Sequence, residues 1–275
     1  SNNNRIIKSM AKDQKGKKGG FISRFGDSQV WKSIIRSGVP VNRRGRMFSV
    51  LNSVFLHLHP VRMPRHAVRL KYTWCAGGLS FYIFCVLTIT GILLMFYYRP
   101  TVEYAYTDIM DLSEQVPLGI MREIHRWGAH LMVITVWIHM FRVFMTGSYK
   151  PPREFNWMVG VILLVLTLLL SFTGYLLPWD QLAIWAITVG TNMARATPFL
   201  GHEGPGAALL SIGDINLVHA GSDVRFALLG GRFVGEAALL RFYVLHCIGF
   251  PFIIMIFMAI HFWRIRKDGG ITTPL

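Results

Sequence analysis

Acidic side chains are scarce in this 275-residue chain: 14 Asp and Glu stand against 29 Lys and Arg, a net charge of +15. An excess of that size is common in nucleic-acid binders, but its distribution argues against one. Much of it lies in the first 70 residues, and most of the rest flanks apolar runs, where basic residues report orientation and contact with anionic lipid. Membrane lipid, not nucleic acid, is the expected contact. Cysteine is scarce too. Cys75, Cys85 and Cys247 form no CxxC pair, so neither a disulfide framework nor a zinc site is expected. Residues 1–50 are basic and polar with no apolar h-region, so no secretory signal is visible.

What the chain has is long uncharged stretches. Hydrophobic residues make up 52% of it, clumped near Cys75–Tyr98, Gly128–Phe141, Trp157–Leu177 and Val244–Trp263. Each, with its flanks, approaches the roughly 20 residues that cross a bilayer core. Four spans are expected, over about 75–98, 122–145, 156–177 and 242–264. The fold class expected is all-α: an integral membrane four-helix bundle with surface helices on both sides. Residues 1–53 read as a basic extension and 54–275 as the membrane domain. Within the extension, Phe21–Arg36 carries an apolar stripe beside basic positions, as in a helix lying on a membrane or docked on a partner subunit.

Orientation follows from the loops. The basic N-terminal region, Arg142, Lys150 and Arg153, and the tail residues Arg264, Arg266 and Lys267 fall on one side. Glu103, Asp108, Asp111 and Glu114 fall on the other. Both termini are therefore expected at the cytoplasmic or equivalent n-side of a bacterial inner, energy-transducing membrane. Residues 178–241 are expected at the opposite p-side, with the Gly-rich stretch Gly201–Gly235 a loop or insertion.

Histidines inside spans carry the chemistry. A buried ionisable group there is costly and marks function. His125 and His139 lie fourteen apart in span two; His246 and His261 lie fifteen apart in span four. These intervals are about 3.9 and 4.2 helical turns, so each pair shares nearly one face with a rise of about 21–22 Å. Both spans run in one direction, which sets His125 level with His246 and His139 level with His261. Two stacked haems, each between two imidazoles, need this arrangement. Gly77 and Gly91 in span one, and Gly160 and Gly174 in span three, repeat the fourteen-residue interval. They are expected to admit a haem edge where a side chain would push it away. Arg122, Arg126, Arg142 and Arg266 suit haem propionates, or serve as snorkelling interface anchors. His130 reads as structural or as a propionate neighbour. His57, His59, His66, His202 and His219 show no ligand geometry.

From about residue 54 to 275, excepting 201–235, these residues resemble the cytochrome b family of quinol-oxidising bc-type complexes. The strings that carry the resemblance are TGILLMFYYRPTVEYAY, HRWGAH, FRVFMTGSYKPPREFNWMVGV, TGYLLPWDQ, RFYVLHCIGFPFI and HFWRIRKDGG. The match is nearest the short split form, cytochrome b6 of the b6f complex and its bacterial relatives, which shares the fifteen-residue interval. That resemblance implies a p-side haem b on His125 and His246 and an n-side haem b on His139 and His261. It implies a quinol-oxidising site lined by Tyr175, Pro178, Trp179 and Asp180, with Asp180 a proton-handling group or an interfacial cap. In WCAGGLS, Cys75 sits where the short form attaches a third, c-type haem through one thioether; an interfacial thiol is the plainer reading. The expected partners are a Rieske-type iron–sulfur protein, a c-type cytochrome, a separate three-helix C-terminal cytochrome b subunit and a second copy of the chain. The function implied is electron transfer from p-side quinol across the membrane to an n-side quinone, with proton translocation. A two-haem membrane anchor of a dehydrogenase or reductase is the rival, and PWDQ with the glycine pairs argues against it.

Overall fold

The four uncharged runs are rich in Leu, Ile, Val and Phe, and in lipid such a run satisfies its backbone polar groups only by coiling into a helix. A computed structural model describes residues 42–51, 74–212 and 215–268, with Ser28, Val30, Trp31, Arg65, Arg69 and Leu70. Most of the predicted helix at Phe21–Arg36, and His57, His59 and His66, lie outside the described residues.

In chain order the helices are α1 (Arg43–Leu51), α2 (Ala76–Met95), α3 (Ala105–Glu114), α4 (Leu118–Met145), α5 (Glu154–Leu176), α6 (Gln181–Ala194), α7 (Val224–Leu229), α8 (Glu236–Val244) and α9 (Phe250–Lys267). A π-turn, Leu245–Gly249, joins α8 to α9. Among the described residues the fold is all-α save for a two-residue antiparallel ladder of Ser211–Ile212 with Ile215–Asn216. Four helices are long and apolar enough to span: Ala76–Met95, Leu118–Met145, Glu154–Leu176 and the continuous Glu236–Lys267. Their most apolar windows are only 6% to 33% buried inside the chain. That is the reverse of a water-soluble core, and those faces meet lipid or partner helices.

In the bundle, α2 packs along α4, α5 along α9, and α4 against α5. One buried cluster closes the end that carries α3, α6, α7 and α8. It joins Tyr98, Leu176, Trp179, Ile187, Leu239 and Phe242, and the Tyr98 hydroxyl donates to the Leu177 carbonyl at 2.6 Å. A second cluster fills the bundle's middle: Phe84 from α2, Met132 from α4, Leu166 from α5 and Ile254 from α9. Phe84 stands seven residues from each of Gly77 and Gly91, and Met132 seven from each of His125 and His139.

The described residues of the stretch 201–235 include the short ladder and helix α7. Asp223 caps α7, accepting from the Phe226 amide at 2.8 Å, and also meets His202 Nδ1 at 2.5 Å. Burial raises the Asp223 pKa, but the amide and His202 outweigh it and hold the carboxyl below its usual range. A six-residue helix is too short to show a period in sequence.

Candidate functional site

Helix α4 presents His125 and His139, and the α8–α9 span presents His246 and His261 on the facing side. The π-turn explains how intervals of fourteen and fifteen residues match in height. It begins one residue before His246, and the Phe250 amide reaches back five residues to the Leu245 carbonyl. A π-turn takes up one residue relative to an α-helix. Pro251, with no N–H to give, sits in the first turn beyond it. The extra residue is absorbed, and both histidines face α4.

The ring centres of His125 and His246 are 6.2 Å apart, and those of His139 and His261 are 6.4 Å apart. An imidazole nitrogen bonds a metal ion at about 2.0–2.1 Å. Allowing about 1.1 Å from that nitrogen to its ring centre, two rings sharing one metal have centres about 6.3 Å apart. Both separations suit an iron held between two imidazoles.

Each of the four glycines lies against one of these rings. A Cβ at Gly77 would sit 3.0 Å from His139 Cε1, at Gly91 3.1 Å from His125 Cε1, and at Gly174 2.5 Å from His246 Cε1. At Gly160 the nearest ring atom, His261 Cε1, would be at an ordinary 3.8 Å. In the structure these four glycines lie at the imidazoles.

The levels differ in their hydrogen bonds. Thr90 Oγ1 meets His125 Nδ1 at 2.9 Å, and Thr173 Oγ1 meets His246 Nδ1 at 3.3 Å. His246 Nδ1 also lies 3.1 Å from the Leu170 carbonyl. At the other level His261 Nδ1 is buried without a hydrogen-bond partner. The sequence reading missed both threonines, although Thr–Gly recurs at 90–91 and 173–174.

The remaining predicted residues fall at the bundle's two ends. Arg122 and Arg126 both pair with Glu123, at 3.1 Å and 2.5 Å. Arg142 and Arg264 are buried at the opposite end, where Arg264, which the sequence reading used only as a basic tail residue, lies 5.3 Å over the Phe155 ring. Arg266 follows in the same last turn of α9. His130 lies edge-on to Trp127, away from both ring pairs. Tyr175 is exposed, while Trp179 is packed into the end cluster. Asp180 Oδ1 accepts from the Ala183 amide at 2.7 Å, so it caps α6. Cys75 is exposed at the head of α2. Among the described residues only Trp74, Cys75, Trp179 and Phe199 are non-glycine residues with positive φ, between 52° and 63°. Such backbone costs energy and gathers at functional positions; three of the four fall in the WCAGGLS and PWDQ strings. A surface groove floored by Gly119 and Ile120 touches none of the predicted site residues.

Fold and site together define a helical bundle long and apolar enough to span a membrane, with two pairs of facing imidazoles at two depths. Residues 62–204 match the family described as Cytochrome b/b6/petB, and residues 212–274 the one described as Cytochrome b(N-terminal)/b6/petB. Cytochrome b6 of Crocosphaera subtropica is 40% identical over 203 residues, covering 74% of this chain and 82% of that one. Cytochrome b6 of Heliomicrobium gestii is 39% identical over 218 residues, covering 79% and 91%. That of Auxenochlorella protothecoides is 41% identical over 203 residues, covering 74% and 85%. A solved chain of a hyperthermophilic respiratory Complex III superposes with a TM-score of 0.62 at 25% identity, covering 85% of this chain. This chain spans 55% of that one's length. The chain belongs to the cytochrome b/b6 family. It is accordingly an integral membrane, haem b-binding protein of electron transport.

Proposed function

We propose that the chain is the two-haem subunit of a quinol:cytochrome c or quinol:plastocyanin oxidoreductase. It carries electrons from quinol oxidised at the p-side to a quinone at the n-side, with coupled proton translocation. It works in a bc-type complex and needs partner subunits for activity. The observation that carries this reading is the pair of matched imidazole separations, 6.2 and 6.4 Å, at two depths of one bundle. The family favours it over the membrane anchor of a dehydrogenase.

His125 and His246 hold the p-side haem iron, and His139 and His261 the n-side haem iron. The haems supply reversible one-electron chemistry; the chain supplies ligation, position and a dry medium. Gly77, Gly91, Gly160 and Gly174 let α2 and α5 close on the rings. Arg122 and Arg126 neutralise propionates at the p-side, Arg142 and Arg266 at the n-side. Tyr175, Pro178, Trp179 and Asp180 line the quinol site, where Asp180 acts as the cap that fixes the turn. Cys75 carries a third, c-type haem by a single thioether, a role supported by its exposure and its left-handed backbone at the head of α2.

Residues 1–53 form a basic n-side extension and 54–275 the membrane domain, with both termini at the n-side, as the loop charges indicate. The partners are a Rieske-type iron–sulfur protein, a c-type cytochrome, a separate three-helix cytochrome b subunit and a second copy of this chain.

A pyridine haemochrome assay on the purified complex, before and after acid–acetone extraction, tests the assignment. Two extractable b-type haems and one resistant haem lost in Cys75→Ala are expected from this chain. Two extractable haems with nothing resistant would remove the role of Cys75 alone. Absence of haem would sink the whole reading.

A further inference from the structure

The two levels are built to one plan, with a glycine from α2 and a glycine from α5 against the paired rings. The residue before each glycine differs. At the p-side level it is Thr90 and Thr173, 9% and 2% exposed; at the n-side level it is Ala76 and Val159, both 4% exposed. The hydroxyl has therefore been placed twice at one level and withheld twice at the other.

The direction of these bonds is fixed by donor counting. A threonine hydroxyl has one hydrogen. Thr90 spends it on the Val86 carbonyl at 2.8 Å, with Leu87 O at 3.2 Å, and Thr173 on the Leu169 carbonyl at 2.8 Å, with Leu170 O at 3.1 Å. Each oxygen is left to accept. A carbonyl can only accept as well, so His246 Nδ1, facing Leu170 O at 3.1 Å, must carry the proton. At His125 the hydroxyl can accept in the same way, and in the two-haem reading both p-side rings donate from Nδ1–H and keep Nε2 as the lone-pair nitrogen. An acceptor on Nδ1–H also raises the basicity of the ligating nitrogen, and a more basic ligand favours the ferric over the ferrous state. Neither n-side ring meets a hydroxyl among the described residues. His261 Nδ1 has the Asn156 backbone nearby but outside hydrogen-bond geometry.

We propose that Thr90 and Thr173 are positioning residues that fix the tautomer of the p-side imidazoles and hold that haem at a lower reduction potential than its n-side neighbour. The proposal rests on the two-haem reading above. It makes the downhill direction of electron flow, from the p-side to the n-side, a property of four side chains next to four glycines.

The test is a redox titration of the purified complex, following each haem's absorbance band, with haem content measured separately. Thr90→Val and Thr173→Val keep the shape and remove the oxygen. Each is expected to favour reduction of the p-side haem about three- to tenfold at fixed ambient potential, where tenfold is about 59 mV for one electron. The n-side haem should not move. Thr90→Ser, which keeps the oxygen and loses the methyl, should titrate like the parent. The converse variant Val159→Thr puts a hydroxyl beside His261 and should shift the n-side haem by a similar factor in the opposite sense.

Loss of the p-side haem in the valine variants, with retention in Thr90→Ser, would support the hydroxyl's role in holding the ring. Fully loaded valine variants with an unmoved p-side potential would overturn the proposal. So would a Thr90→Ser shift as large as that of Thr90→Val, which would make the role one of packing. A parent complex without two extractable haems would take the proposal down with the reading beneath it, and the separate haem count tells that failure from the others.

Discussion

At the level of His125 and His246 a threonine hydroxyl meets each imidazole, and Gly174 leaves no room for even a methyl group. At the level of His139 and His261 the rings stand about equally far apart, yet among the described residues they meet no hydroxyl, and Gly160 has ordinary clearance. Ring separation is therefore set by the bundle, whereas ring orientation and electronics are set locally by the residues of α2 and α5. The same backbone repeat can serve two sites with different properties because only its side-chain decoration changes.

The sharpest way to break the comparison is to disturb height. Ile248 lies in the π-turn with its side chain 58% exposed. Its deletion should collapse that turn to α-helix and leave an interval of fourteen, with both haems retained. Deleting Met132 from α4 has no such slack to draw on. One flank would turn by about 100° relative to the other, and the haem count should fall to one or none.

Next come the glycines, which grade the levels against each other. Gly174→Ala should abolish the p-side haem, since its Cβ would lie 2.5 Å from His246 Cε1 with packed helices behind it. Gly77→Ala and Gly91→Ala, near 3 Å, should lower occupancy of the n-side and p-side haems respectively. Gly160→Ala should keep both, with the few tenths to about 1 kcal/mol that alanine gains over glycine in a helix. Haem content per chain and thermal stability read this series directly.

The smallest effect concerns only the end that carries α3. The Arg99 guanidinium bonded to Asp108 holds that carboxyl below its usual range. A lowered carboxyl pKa contributes stability that is fully present above the ordinary value of 3.8 and is lost as pH falls through the lowered one. Because Arg99 is well exposed, solvent screens the pair. Asp108→Asn should lower Tm near neutral pH by roughly 1–3 °C. It should also flatten the loss of Tm below about pH 4, where Asp normally titrates.

Much of this was legible in the chain. Four uncharged runs gave the spans, because lipid leaves the backbone no other partner than itself. The intervals in His125/His139 and Gly77/Gly91 gave the two depths, because helical rise is fixed. Less was visible where structure depends on contacts rather than period. The fifteen-residue interval of His246 and His261 exceeds that of His125 and His139 by one residue, about a quarter turn, and nothing in the sequence showed the π-turn that absorbs it. Thr90 and Thr173 looked like ordinary small residues in apolar helices until their oxygens were seen beside Nδ1. Asp223 and His202, twenty-one residues apart in a Gly-rich stretch, share no pattern that would pair them. Arg264 was hidden by its neighbours Arg266 and Lys267, which suit the interface equally well.

The apolar layer of Phe84, Met132, Leu166 and Ile254 gives the bundle an electrical property. It separates the levels by the height of fourteen helical residues, about 21 Å of a bilayer core about 30 Å thick. In the two-haem reading proposed above, an electron passing between levels crosses most of the membrane's voltage. At about 2.3 kcal/mol per charge for each 100 mV of full potential, that crossing costs roughly 1.6 kcal/mol per 100 mV. The transfer charges the membrane like a capacitor, and a strongly energised membrane pushes back on it.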